Sequence, residues 1–306
     1  MYYPFLPARF TSFAALERLV AKGTLSKKII PVIEQIRVHD SLCTIVDIFV
    51  KNQHRIALYF THDLIEDLQH GFDPRRQLFV EKLRRLITSQ YVKLVIAVDE
   101  YFGEKTLTWL EKNLGVCRAN LLFSIEKASQ QDYFAPTLSW DTEQTIFVYA
   151  NVRNIRKLKN KVLLQSIPAD DTCTGSINQF ITDLPYYCAQ DGFMGFADRL
   201  LRSPYYESDS MVRLPILYAK NKEIWLRVFA PVHNARNPPP MSLAREFHHM
   251  LPRIIAWCYE QKIGATMGLA HLLEDFKRRA YPGSVVLQMR TIMHALEIMS
   301  RAIDQH

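Results

Sequence analysis

The chain is short of the features that most often declare a function. It has no Gly-x-x-x-x-Gly-Lys run, which removes the common P-loop phosphate cradle, and no Gly-x-Ser-x-Gly run, which removes the nucleophile elbow of the α/β-hydrolases. No apolar stretch approaches the roughly 18–20 residues needed to cross a bilayer. Its five cysteines, Cys43, Cys117, Cys173, Cys188 and Cys258, include no Cys-x-x-Cys pair, so a zinc site built on close cysteine pairs is excluded. The opening Met1 to Arg9 is apolar but has no basic segment before it, so no signal peptide is expected. With an odd cysteine count, that implies reduced thiols, a cytoplasmic location and no membrane partner. Internal repeats and low-complexity tracts are also lacking.

What is present is ordinary globular material. The 306 residues are 48% hydrophobic and 23% charged, enough for one barrel-sized domain or two smaller ones. The formal charge of +7 points toward polyanions, with basic clusters at Arg75-Arg76, Lys82/Arg84-Arg85, Arg153 to Lys161 and Lys277-Arg278-Arg279. Most of these fall on helix surfaces, where charge commonly serves solvation. Charge alone therefore decides little.

Strand-like and helix-like periods alternate along the chain. Lys28 to Glu34, Arg55 to Phe60, Leu94 to Val98 and Asn120 to Ile125 read as strands. Leu42 to Asn52, Gln77 to Ser89 and Glu104 to Leu114 read as the helices between them, the last closed by Gly115. Thr145 to Tyr149, Val162 to Gln165 and Gly192 to Ala197 read as further strands, and Ile177 to Cys188 as a helix. Arg213 to Ala219 and Ile224 to Ala230 flank Lys220-Asn221-Lys222-Glu223, the pattern of an antiparallel hairpin. After Pro238-Pro239-Pro240, three helices follow over Leu243 to Gln261, Met267 to Arg279 and Val285 to Asp304.

Successive strand–helix units imply parallel strands joined by right-handed crossovers. The expected architecture is a (β/α)8 TIM-barrel-like domain over residues 1–235, with a late antiparallel hairpin. A helical segment at 241–306 packs on the barrel or completes it. A doubly wound open sheet is the alternative, but Glu34 to Ser41 lacks the glycine-rich first turn that such a sheet advertises.

In parallel α/β folds, chemistry collects at the carboxyl ends of the strands. Those ends hold Glu34, His62-Asp63, Asp99-Glu100, Glu126, Asn151, Arg153, Gln165, Asp198 and Arg199. A closed barrel would gather Glu34, Asp99, Glu126 and Asp198 as candidate catalytic carboxylates, able to hold a divalent cation or divide into acid and base. Arg153, Arg199 and His62 would contact an anionic substrate. Against this, polar strand ends also arise simply because the chain is leaving the core. His248-His249 are adjacent on a helix and point about 100° apart, which argues against joint chelation. Thr174-Gly175-Ser176 reads as a helix cap that could also offer amides to a phosphate. Tyr133-Phe134, Tyr186-Tyr187 and Tyr205-Tyr206 are either core packing or base-stacking platforms.

Met1 to Leu6, Lys28 to Glu34, Gly195-Phe196-Ala197-Asp198 and Ile216-Leu217-Tyr218 together resemble the "beta protein" family, a largely uncharacterised group of bacteria and their phages. The chain has Leu214-Pro215 where that family carries a histidine, and Thr61-His62-Asp63 where it often shows Asn-Pro. The resemblance implies a barrel fold and a role in phage–host conflict beside a second protein encoded nearby, with no established reaction. Three function classes follow. One is a barrel component of a defence-type module; the others are a metal-assisted hydrolase of nucleotides or nucleic acid, and a nucleic-acid-binding module.

Overall fold

The computed structural model describes residues 1–36, 40–69, 74–134, 144–149, 158–167, 177–202, 206, 212–231 and 242–305. The apolar runs at period two become strands, and the amphipathic runs between them become helices. The first half runs β1 (Tyr2–Pro7), α1 (Phe10–Ala21), β2 (Val32–Glu34), α2 (Asp40–Lys51), β3 (Ile56–Phe60), α3 (His62–Gln69) and α4 (Pro74–Ile87). It continues with β4 (Val92–Ala97), α5 (Glu104–Trp109), β5 (Leu121–Ile125), α6 (Gln131–Phe134), β6 (Thr145–Val148) and β7 (Lys161–Gln165). Then come β8 (Ile177–Thr182), α7 (Leu184–Tyr187), β9 (Gly195–Asp198), β10 (Leu214–Lys220) and β11 (Glu223–Phe229). The helices α8 (Leu243–Glu260), α9 (Met267–Arg278) and α10 (Ser284–Asp304) close the chain.

Eight parallel strands form a closed barrel in the order β1 to β7 and then β9, with β1 hydrogen-bonded to both β2 and β9. This is the (β/α)8 architecture, and the open doubly wound sheet is ruled out by closure. Side chains alternate across the barrel wall. Tyr3, Phe5, Val32, Ala57, Tyr59, Val95, Leu122, Phe147, Val162, Leu164 and Ala197 fill the interior. Leu6, Ile33, Leu58, Ile96 and Phe123 point outward into the layer shared with Leu16, Val46, Phe49 and Leu83 of the helices.

Several elements differ from the expectation, β1 and β8 above all. β1 opens the barrel, although Pro4 and Pro7 hide it by interrupting the β-branched pattern of a buried strand. Counting from Lys28 therefore starts one strand late, and α1 behind it was likewise not anticipated. The segment expected to be a helix, Ile177 to Cys188, is instead β8 followed by the single turn α7. Ile177, Phe180 and Ile181 stand at i, i+3 and i+4, which is helical spacing; the strand is imposed instead by pairing with the open edge of β11, nearly fifty residues away, which local periodicity does not show. β10, β11 and β8 form the separate antiparallel sheet, with the hairpin where it was expected. Gly115 ends the helical run before β5 with φ of 70°, as its stop signal implied.

The segment after residue 241 divides in two. α8 covers the second sheet, where Phe247, Met250 and Ile254 pack with Leu214, Ile216 and Phe229. α10 packs on α1, and Ile292, Leu296 and Met299 join the main barrel core. It occupies the outer-layer place of a helix following the eighth barrel strand. His294 ties it down: one ring nitrogen meets the Leu217 carbonyl at 2.8 Å and the other the Thr266 hydroxyl at 2.7 Å. Burial lowers its pKa to about 4, so the ring is neutral. At the α9–α10 crossing, a Cβ on Gly268 would strike the Arg290 carbonyl, so only glycine permits this approach. The expected break at Pro238-Pro239-Pro240 lies outside the described residues.

Candidate functional site

Interior parity decides which strand-end residues meet. Glu34 shares the inward face with Val32, Tyr59 with Ala57, Ser124 and Glu126 with Leu122, Tyr149 with Phe147, and Arg199 with Ala197. All six converge at the carboxyl-terminal mouth. Arg199 is the hub: its Nε donates to Glu34 Oε2 at 3.1 Å, Nη1 to Glu126 Oε2 at 3.2 Å, and Nη2 to Glu126 Oε1 at 2.6 Å. Its guanidinium lies 4.6 Å from the centre of the Phe5 ring, which forms the floor. Arg202, on the helical turn after Asp198, donates from Nη1 to Glu34 Oε1 at 3.0 Å. The Tyr59 hydroxyl donates to Glu126 Oε1 at 2.7 Å and the Ser124 hydroxyl does so at 3.3 Å.

This network fixes the protonation states. Burial pushes the Glu126 carboxyl up, but the Arg199 bonds outweigh burial and hold it below its usual value. Burial alone would lower Arg199, while Glu126 and Glu34 together raise it. Burial and then the Glu126 charge raise the Tyr59 phenol, which stays protonated and donating. A buried carboxylate, Glu34, and a half-buried one, Glu126, thus face two guanidinium groups of opposite charge.

The remaining candidates are elsewhere. Asp198 sits at the same end of the barrel, opposite Pro4 of β1 and Gln165 of β7, but points outward into the helical layer. There its Oδ1 accepts from the Tyr2 hydroxyl at 3.2 Å and the Leu200 amide at 2.9 Å. Burial raises its pKa to about 6. Its Oδ2 and the buried Tyr206 hydroxyl have no hydrogen-bond partner among the described residues. Asp99 is turned into the loop after β4, accepting from the Tyr101 amide at 3.0 Å, and burial raises it from the ordinary value. His62 is not in a loop but in the first turn of α3, stacked on Tyr101 with ring centres 3.9 Å apart. Gln165 faces β8 and donates to the Ile181 carbonyl at 2.6 Å. Arg153, Asn151, His233, Thr174-Gly175-Ser176 and Tyr205 lie outside the described residues. Phe134 is buried against Phe123, and Tyr206 is buried behind Asp198, so both serve the core rather than a stacking platform.

A divalent cation does not fit the groups that meet. Every oxygen of Glu34 and Glu126 already accepts from a guanidinium, and a cation there would have to displace Arg199. Among the described residues, no three His, Cys, Asp or Glu side chains converge as metal ligands. The expectation of four convergent carboxylates therefore reduces to two, for two reasons: Asp198 falls one residue out of step with Ala197 and Arg199, and Asp99, although in step with Val95 and Ala97, lies beyond the end of β4 and caps its own loop.

Four site residues escaped notice in the sequence. Tyr59 and Ser124 were readable, as polar groups at inward positions of apolar strands. Tyr149 follows the same rule for β6. Arg202 shares a face with Arg199 only because the turn between them is a 3₁₀ helix, where residues three apart align. Beside the network, a cavity of about 640 Å³ opens between Glu126, Lys127, Tyr149, Leu164, Gln165 and Ser166.

No family model and no curated protein matches the sequence. Among solved structures, the chain is similar to tryptophan synthase from M. tuberculosis, with a TM-score of 0.41 and 13% identity over 65% of this chain and 82% of that one. The barrel assignment itself rests on the strand order, and no helix among the described residues is long and apolar enough to cross a membrane.

Proposed function

We propose that this barrel is a binding component that receives an anionic small molecule, a nucleotide among the candidates, at its carboxyl-terminal mouth. The observation that carries this reading is the charge-neutralised floor with exposed donors of Arg202 and the exposed Lys127 ammonium at its rim. Glu34 and Glu126 are spent on Arg199 and Arg202, so neither meets an incoming anion as a free carboxylate. Arg202 uses one nitrogen on Glu34, while its side chain remains 40% exposed at the rim. Lys127 is exposed beside the cavity. The cavity falls within the roughly 300–1,000 Å³ of small-ligand sites, and Tyr149 offers an aromatic wall.

A metal-assisted hydrolase is the weaker reading, because the donor set is occupied. A nucleic-acid-binding module draws support from the net charge of +7, without a described continuous basic groove to favour it. The resemblance to the "beta protein" family adds a protein partner and a role in phage–host conflict. That half of the proposal rests on the resemblance alone. Co-expression with the product of a neighbouring gene tests it: co-elution supports the partnership, and a clean monomer removes it.

Calorimetric titration of the full chain with nucleoside di- and triphosphates tests the site. Saturable binding that persists in chelator and weakens about tenfold in Arg202→Gln or Lys127→Gln is expected, the scale of one charge-assisted hydrogen bond. No nucleotide binding to the unmodified chain, or binding indifferent to both changes, would overturn the reading.

A further inference from the structure

The opposite, amino-terminal mouth of the barrel has its own charge problem. β3 and β4 pair in parallel with Ile56 opposite Val92 and Ala57 opposite Lys93. Lys93 shares inward parity with Val95, and Arg55 shares it with Ala57 and Tyr59. Lys93, half-buried, and Arg55, exposed at the rim, therefore stand on neighbouring strands at the same end of the barrel. A cavity of about 200 Å³ opens there, bounded by Arg55, Lys93, Tyr3, Leu122, Gln144 and Thr145. No residue lining it is acidic, and neither cation makes an ion pair with a described carboxylate. Among the described residues the Lys93 ammonium has a neutral acceptor, donating to Asn120 Oδ1 at 2.5 Å. Burial, and then the Arg55 charge, lower its pKa.

Two like charges facing one half-enclosed space repel each other and attract an anion. The chemistry present selects among anions. A guanidinium offers a planar fork that matches an oxyanion, and a lysine adds a point charge. Thr145 carries a hydroxyl, whose present contact is the weak one to Met194 Sδ at 3.7 Å. The volume falls below the roughly 300 Å³ at which small-molecule sites usually begin, so a single oxyanion with ordered water fits better than a nucleotide.

We propose that the amino-terminal mouth, through Arg55 and Lys93, is a second site that binds one phosphate-class oxyanion, either free or as the end of a small monoester. It is separated from the Arg199 network by the packed barrel interior and does not depend on the function proposed for that network.

The test is calorimetric titration of the full chain with inorganic phosphate at constant ionic strength. An Arg202→Gln, Lys127→Gln background weakens any contribution from the other mouth, and loss of the remaining signal on Lys93→Met assigns it to this one. Saturable one-to-one binding is expected, weakened at least about tenfold by Lys93→Met or Arg55→Gln and largely kept by Lys93→Arg. Glycerol 3-phosphate distinguishes the sources: tighter binding than phosphate assigns a monoester, and weaker binding assigns the free ion. Thermal melts confirm that the variants are folded. The proposal fails if phosphate gives no saturable signal, or if Lys93→Met binds it as well as the unmodified mouth does.

Discussion

The two mouths of this barrel hold ionisable side chains on the same inward face, yet they handle them in opposite ways. At the carboxyl-terminal mouth, Glu34 and Glu126 are matched by Arg199 and Arg202, and every carboxylate oxygen is engaged. At the amino-terminal mouth, Arg55 and Lys93 face one cavity with no described acid between them. The first is a closed network whose charges are mutually dependent. The second is an open pair that lacks its counter-charge. A barrel wall imposes the same alternation at both ends, so the difference lies entirely in which residues occupy the inward positions.

The largest expected effect breaks the closed network. Glu34 is 4% exposed and, among the described residues, is the only acceptor shared by Arg199 and Arg202. Glu34→Gln leaves two partly exposed guanidinium groups short of charge, and the loss of about 3–5 kcal/mol on removing one partner from a fully buried pair is the upper bound. Urea unfolding at pH 7 should show a loss near the lower figure, because Glu126 still holds Arg199. A loss below about 1 kcal/mol would mean that the network is solvated and that the mouths differ less than described.

Next comes Asp198, which shows what a carboxylate does at this end when no arginine reaches it. Its pKa of about 6 lies above the ordinary 3.8 because burial opposes its charge. A carboxyl that binds its proton more tightly when folded stabilises the fold fully below about pH 4. That contribution is lost as the pH rises through about 6, on the order of 3 kcal/mol in total. Asp198→Asn should flatten the pH dependence of stability between those limits. A slope unchanged by the substitution would show that another group titrates there. Tyr59→Phe is expected to be smaller, about 1.5 kcal/mol, since Glu126 keeps its Arg199 bonds after losing the phenol.

The barrel was legible from sequence because most strands are apolar runs bounded by helices with clear periodicity. β1 was hidden by its prolines, and β8 by a pairing partner distant in the chain. For the site, the sequence identified which strands end in charge but not which way each charge points. Glu34, Glu126 and Arg199 do meet, whereas Asp198 is turned away by a single step of the pleat. Strand-end carboxylates look alike in a sequence; only the register of the last inward residue separates a site from a core. Arg55 and Lys93 carry no such signal in the sequence, because they stand at the amino ends of β3 and β4, whereas chemistry in parallel α/β folds collects at the carboxyl ends.

The smallest effect is the sharpest discriminator between the two mouths. Lys93→Met removes one of two cations that repel across the amino-terminal cavity, while keeping most of the apolar stem. A gain of about 0.5 kcal/mol at low salt is expected, the scale of a partly exposed charge interaction. That gain should shrink toward zero in 1 M salt, where the Debye length falls to roughly 3 Å. The cost of Glu34→Gln should change little over the same range, because buried pairs are poorly screened. The two substitutions thus differ in sign and in salt response, and both differences come from one cause: whether a counter-charge is already built into the wall. If Lys93→Met destabilises the fold at low salt, its bond to Asn120 outweighs the repulsion, and the amino-terminal mouth is as self-satisfied as the carboxyl-terminal one.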